Sequence, residues 1–305
     1  MCGENSLSSV FQEFRVHDWI AAPHGRYYLY FAHHAGDHIR LAYADQLEGP
    51  RRIHEPGVLA LEASGFATEP LQPEDVTNPQ WQEWMQQHGD AILARLGPHI
   101  ASPDVHVRHD RSEIQMYFHG LLPNAEQMTC LATSRDGLHF DVHNELLGPS
   151  YFRVFPYQGW LYAMAADGGL FRSRDATTAF EPGPILISPN ARHTAVRLRD
   201  DYLDIFWSRY GDTPEHILVT EVRLRGEWTS WQGGPTRDVL FPVYLWEGAD
   251  LPLVPSRIIA HHNQVGNFCY SLGDKVAKLL INHFTSSARP AMLSPPVSPP
   301  CQHLQ

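Results

Sequence analysis

Four cysteines in 305 residues are too few and too scattered to staple a fold. Cys2, Cys130, Cys269 and Cys301 show no metal-type or dithiol spacing. They read as reduced thiols, and a cytoplasmic setting is expected. Basic residues are also scarce, 23 Lys and Arg against 34 Asp and Glu, for a net charge of −11. A nucleic-acid surface needs clustered cations, so no nucleic-acid partner is expected. No apolar run approaches the roughly 20 residues of a membrane span, so no membrane partner is expected either. The start, Met1-Cys2-Gly3-Glu4-Asn5, lacks a basic segment followed by an apolar one, and no secretory signal is expected. There is no Gly-rich phosphate loop, no Gly-x-Ser-x-Gly elbow and no paired-Cys motif. Nucleotide binding, serine hydrolysis and dithiol redox chemistry therefore drop out as first choices. His-x-His and His-Glu-x-x-His spacings are missing too. Neither a metal nor another cofactor is expected.

Aromatics and histidines are plentiful: eight Trp, 12 Tyr, 14 Phe and 19 His. The aromatics come in short runs. The clearest are Tyr27-Tyr28-Leu29-Tyr30-Phe31, Ile114-Gln115-Met116-Tyr117-Phe118, Gly159-Trp160-Leu161-Tyr162-Ala163 and Tyr202-Leu203-Asp204-Ile205-Phe206-Trp207. An Asp-bearing hairpin element follows the first three, at Asp45, at Ser134-Arg135-Asp136 and at Ser173-Arg174-Asp175. Those Asp residues sit where a side chain bonds its own backbone, so they are structural. Repeats of roughly 40–50 residues, each rich in short strands, predict a radial β-architecture.

The blades are placed at 14–61, 99–147, 148–187 and 192–239, with a fifth from about Phe241. In blade one, 26–33, 39–44 and 51–55 read as strands. In blade four, Ile217–Arg223 and Trp228–Gln232 read as the outer strands. The predicted class is all-β: a five-bladed propeller over 14–290, with 1–13 as an N-terminal extension. A short helical insertion is expected between blades one and two, at about 70–98. Asn78 would cap its helix, Pro79 would be the first helical residue, and Gly97-Pro98 would stop it. The last blade is atypical from about residue 266. Residues 291–305 are Pro-rich and expected to be disordered.

Several phrases resemble the five-bladed propeller glycoside hydrolases. That superfamily holds the arabinanases and β-xylosidases of family 43 and the invertases and levansucrases of families 32 and 68. Gly25-Arg26-Tyr27-Tyr28-Leu29-Tyr30-Phe31 is similar to their first-blade aromatic strand. Ser102-Pro103-Asp104-Val105 is similar to their "A-P-D-V" strand, and Ser134–Phe140 to their "S-x-D-G-x-x-F" hairpin. The resemblance covers roughly residues 14–260. It implies a carbohydrate or small glycoside as ligand and three carboxylates as catalysts. Two of these flank the glycosidic bond, one as proton donor and one as base or nucleophile.

On that basis Asp18 takes the place of the first-blade Asp. Asp104 opens blade two, and Glu247 is the candidate acid, with Asp250 as a nearby alternative. Arg153 stands where the hydrolases carry a modulating Asp, and the invertases' "R-D-P" signature is missing. A guanidinium cannot replace a carboxylate, although it can hold an anionic or polyhydroxyl ligand through its fork. His34, His106, His119, Arg192, His193, Trp207 and Arg209 complete the expected lining, with Trp207 as a sugar platform. The first expectation is a protein that acts on or binds a glycan. The alternatives are a non-catalytic carbohydrate-binding or scaffold propeller, and a lyase using His and Arg in the same funnel.

Overall fold

The computed structural model describes residues 12–15, 25–32, 36–46, 49–90, 93, 97–243, 249–250 and 252–255. Among them lie four antiparallel sheets of four strands, each a simple meander in chain order. Blade one is β1 (Gln12–Arg15), β2 (Tyr27–Ala32), β3 (His38–Ala44) and β4 (Arg52–Ala60). Blade two is β5 (Ile100–Arg108), β6 (Glu113–Leu121), β7 (Gln127–Ser134) and β8 (Asp141–Pro149). Blade three is β9 (Arg153–Tyr157), β10 (Trp160–Met164), β11 (Gly169–Ser173) and β12 (Glu181–Ile185). Blade four is β13 (Ala191–Arg199), β14 (Tyr202–Arg209), β15 (Ile217–Arg223) and β16 (Gly233–Leu240). The expected all-β propeller is present. The fifth blade falls outside the described residues, as do the Pro-rich tail and the region from 266.

The aromatic runs are the second strands of the blades. Each is sandwiched between two neighbouring sheets, so both faces are apolar and the run reads as continuous. On β6, Ile114, Met116 and Phe118 point toward blade one, joining Tyr28, Tyr30, Ile39 and Leu41 in one core. Tyr117 points the other way, into a core with Leu131, Phe152, Val154 and Phe180 of blades two and three. Period-2 alternation thus glues one strand to two blades. Between blades three and four, Tyr157, Tyr162, Met164 and Leu170 meet Leu203, Ile205, Trp207, Trp228 and Trp231. Each such side chain contributes about 1.5–3 kcal/mol by leaving water.

The hairpin aspartates are structural, as expected. Asp136 Oδ1 accepts from the backbone N–H of Leu138 at 2.8 Å and of His139 at 2.9 Å. Asp175 Oδ1 accepts from Thr177 N–H at 2.8 Å. The Asp136 hydrogen bonds more than offset its burial and hold the carboxyl at about 2. Cys130 is buried, and burial pushes its thiol up to about 11.

Three local expectations are corrected. Blade one begins with β1 at Gln12, inside the expected extension, so the aromatic strand is second and not innermost. The helix α1 spans only Pro79–His88. Asn78 caps it as expected, Oδ1 accepting from Gln80 N–H and Trp81 N–H. It stops early because Gly89 turns left-handed at φ 75°. Trp81, Trp84 and Met85 then pack on Leu71, Leu93 and Leu121 at the edge of blade two. Finally, Trp228–Ser230 is a 3₁₀ turn, and the outer strand of blade four is β16. Trp228 and Trp231 are both drawn into the core between blades three and four, which alternation in a strand would not permit.

The six-membered ring of Trp228 packs against Gly183 of β12. A Cβ at Gly183 would stand 2.1 Å from the indole. Gly183→Ala should therefore cost about 1–3 kcal/mol by overpacking. A melting temperature unchanged from wild type would contradict this packing.

Candidate functional site

The first strands of the blades lie innermost, and Arg153 on β9 shows it. Its Nε donates to Thr194 O on β13 at 3.2 Å. Its Nη1 donates to Ser102 O on β5 at 3.3 Å and to Phe152 O at 2.8 Å. One guanidinium thus ties three blades together at the start of their inner strands.

The backbone at these starts is irregular. The register of β5 slips between Ala101 and Asp104, leaving Ser102-Pro103 as a bulge. The register of β13 slips between Ala191 and Thr194, leaving Arg192-His193 as a bulge. Bulges re-aim side chains, and they are over-represented beside active sites. Ser102 at φ 55° and Tyr151 at φ 66° are left-handed non-glycine residues. Each costs of order 1–3 kcal/mol, a strain that the surrounding structure must hold.

Asp104 is 7% exposed. Its Oδ2 accepts from His106 Nε2 at 2.8 Å and from Val154 N–H on β9 at 2.8 Å. Burial pushes this carboxyl up. His106, Arg153 and the Val154 N–H together outweigh burial, so the net shift is downward. Asp104 is therefore ionised at neutral pH. It suits the work of a base, an anchor or an orienting group, and it does not suit that of a proton donor.

A row of imidazoles joined through Tyr151 runs from blade two to blade four. Tyr151 packs on His119 at 4.4 Å and on His193 at 5.5 Å between ring centres. His99 completes the row, 5.8 Å from His119, and its buried imidazole is pushed down by desolvation. Arg192 is bound to Glu215, Nε to Oε1 at 3.1 Å, with its guanidinium over Tyr210. Ser208 Oγ donates to the same Glu215 carboxylate at 2.7 Å. Register places Arg209 opposite Ala191 and His119 opposite Ala101, at this same end of the blades.

The structure sets Asp104 beside His106 and Arg153, joins His119 to His193 through Tyr151, and places Arg192 and Arg209 near the same end of blade four. Two expectations are corrected. Trp207 is no sugar platform: it is 2% exposed, sits in the core between blades three and four, and its indole N–H donates to Thr220 Oγ1 at 3.0 Å. Arg153 is not free to grip a ligand through its fork, because Nε and Nη1 are committed to carbonyls. Asp250 lies in an exposed turn. Asp18, His34 and Glu247 lie outside the described residues. Sequence reasoning missed Tyr151 and Glu215. Tyr151 stood beside Arg153 in the chain, and its left-handed backbone gave no sign. Glu215 follows a Pro in a loop, and only the fold sets it against Arg192. Among the described residues, no three His, Cys, Asp or Glu side chains gather as a metal site.

No family model matches the sequence. Uncharacterized protein R118 of Acanthamoeba polyphaga mimivirus is 31% identical over 250 residues, which make up 76% of this chain and 65% of that protein. The chain thus spans less than two thirds of that relative's length. A thermostable family-43 glycoside hydrolase superposes with a TM-score of 0.52 at 12% identity, over 81% of this chain and 77% of that one. An α-L-arabinofuranosidase from Clostridium thermocellum gives 0.48 at 16% identity, over 70% of each chain. The property shared with the thermostable hydrolase is the fold, a β-propeller.

Proposed function

We propose that this protein acts on or binds a glycan or small glycoside at the mouth of its inner strands, as a glycoside hydrolase-like propeller. The observation that carries the reading is Asp104. It is a buried, ionised carboxylate on an inner strand, in a fold shared with a family-43 hydrolase, held by His106, with His119, Tyr151 and His193 nearer the start of the inner strands. In this reading Asp18 and Glu247 supply the other two carboxylates. A retaining pair would stand about 5–5.5 Å apart and an inverting pair about 6.5–9.5 Å.

The reading includes a fifth blade, built from residues after Phe241. Phe206, Ile217 and Val219 support it, because they form an apolar face on the side of blade four away from blade three. Such a face needs a covering sheet. A cytoplasmic setting belongs to the same proposal.

One observation favours a second reading, carbohydrate binding without hydrolysis. Arg153 occupies the expected place of a carboxylate, and it is built in as a strut between blades. The test is a screen of aryl-glycosides and oligosaccharides for both turnover and binding, with Asp104→Asn beside wild type. Turnover lost in Asp104→Asn, and in Glu247→Gln, supports the hydrolase. Binding without turnover supports the second reading. No binding of any neutral glycan overturns both.

A further inference from the structure

Toward the other end of the same inner strands lies a further cavity, bounded on one side by His106, the partner of Asp104. The cavity, of about 560 Å³, opens between blades two and three. It is lined by the ends of β5 and β9, the turns that follow them, and the residues after β11. That volume lies within the usual range for small-molecule sites.

Charge in this cavity departs from the rest of the protein. The whole chain is strongly acidic, at −11. Here the charged lining is Arg108, Arg111 and Arg174 against Asp110 and Asp175. Arg108 is neutralised by Asp110 through two hydrogen bonds, at 3.0 and 2.9 Å. Asp175 is turned into its own hairpin, accepting from the Thr177 N–H and Oγ1. The Arg111 guanidinium makes no hydrogen bond or ion pair among the described residues. The Arg174 guanidinium stacks on Trp160 at 3.6 Å and holds only the Gly159 carbonyl, at 3.4 Å. Trp160 is itself backed by Arg172, at 4.0 Å, and Arg172 by Trp228, at 4.2 Å. This ladder fixes the plane of Arg174 at the mouth. A planar, fixed guanidinium beside Arg111, which feels Asp110 and Asp175 only at longer range, suits bidentate binding of a carboxylate or phosphate.

Deeper in, the lining is a phenol, an amide and an imidazole. Tyr117 is 1% exposed, lines the cavity, and its hydroxyl has no hydrogen-bond partner among the described residues. A buried hydroxyl without a partner is a standing cost that a ligand oxygen relieves. Burial, then the nearby Asp104, push this phenol well above its ordinary value, so it is a neutral donor. Gln115 and His106 stand beside it on the wall. The cavity is thus cationic at the mouth and rich in hydrogen-bonding groups at depth.

We infer that this cavity binds a monosaccharide bearing a carboxylate or phosphate, with the anion on Arg111 and Arg174 and the hydroxyls toward Tyr117. The cavity meets the Asp104 site at His106, which lines it and holds Asp104 Oδ2 at 2.8 Å, but its arginines lie on the turn after β5 and just after β11, so anion binding there does not depend on hydrolysis.

The test is calorimetric titration of the full chain with glucuronate, glucose 6-phosphate, glucose and inorganic phosphate. At least one acidic sugar should bind ten-fold or more tightly than both glucose and phosphate. Which acidic sugar binds identifies the anion. The double variant Arg111→Gln with Arg174→Gln, both at exposed positions, should weaken binding ten-fold or more while keeping the wild-type circular dichroism spectrum and melting temperature. Tyr117→Phe should weaken it several-fold. The proposal is overturned if neither acidic sugar binds at millimolar concentration. It is equally overturned if glucose or phosphate alone binds as tightly, or if the double Arg variant binds like wild type. A protein inert toward neutral oligosaccharides still answers this experiment, so the two readings fail separately.

Discussion

Asp104→Ala should cost about 3–5 kcal/mol of folding stability, because it strands the buried charge of Arg153. It also leaves the Val154 N–H and His106 Nε2 without their acceptor. Asp104→Asn keeps the shape and one acceptor oxygen, so its cost should be smaller, about 1–3 kcal/mol. The pH dependence separates charge from shape. The folded value of Asp104 lies below its ordinary 3.8. A carboxyl with a depressed folded value stabilises the fold at every pH above its unfolded value. That stabilisation fades as pH falls through the folded value. The gap between wild type and Asp104→Asn should therefore be full at pH 7 and should close only on acidification below about 3.8. Urea denaturation followed by tryptophan fluorescence, at pH 7 and through the acid range, measures it. A gap that stays constant to the lowest pH at which both proteins fold would show that the Asp104 charge contributes nothing.

The sequence made the second and third strands legible because both their faces are buried. The runs at 114–118, 159–163 and 202–207 read as strands, and Ser-x-Asp hairpins follow the first two of these. Outer strands were harder. β12 reads Glu181-Pro182-Gly183-Pro184-Ile185, and β16 opens Gly233-Gly234-Pro235. Proline and glycine belong at sheet edges, where no further strand must pair, but in a sequence they look like turns. Of the site, Asp104 was singled out as opening a strand, although β5 begins at Ile100 and places it in mid-strand. The roles of its partners were not legible. Whether an Arg grips a ligand or props up three backbones depends on which carbonyls the fold brings within reach, and Thr194, Ser102 and Phe152 lie far apart in the chain. Trp207 failed for a related reason. Counting along a blade does not say which face of β14 turns inward, and Trp207 shares its face with Leu203 and Ile205 in the core.

Arg153→Asp, the change that would restore the expected carboxylate of a hydrolase, should not produce one. The new carboxylate would face the carbonyl oxygens of Thr194, Ser102 and Phe152, all of which now accept from Arg153. It would also stand beside the ionised Asp104, so two negative charges would share one buried site. Three donors would be exchanged for two acceptors, and three inner strands would lose their common tie. Arg153→Ala removes only the tie, and its expected cost is about 3–5 kcal/mol, since Asp104 then loses a buried counter-charge. Arg153→Lys keeps the charge but not the fork. One ammonium cannot span carbonyls on three blades, so roughly half of that loss should remain. The expected order of urea midpoints is wild type, then Arg153→Lys, then Arg153→Ala, with Arg153→Asp lowest or unfolded. Should Arg153→Asp fold with the wild-type midpoint and gain turnover of aryl-glycosides, Arg153 would be a lesion at a hydrolase site. The geometry instead makes it the pin that holds the mouth of the inner strands together.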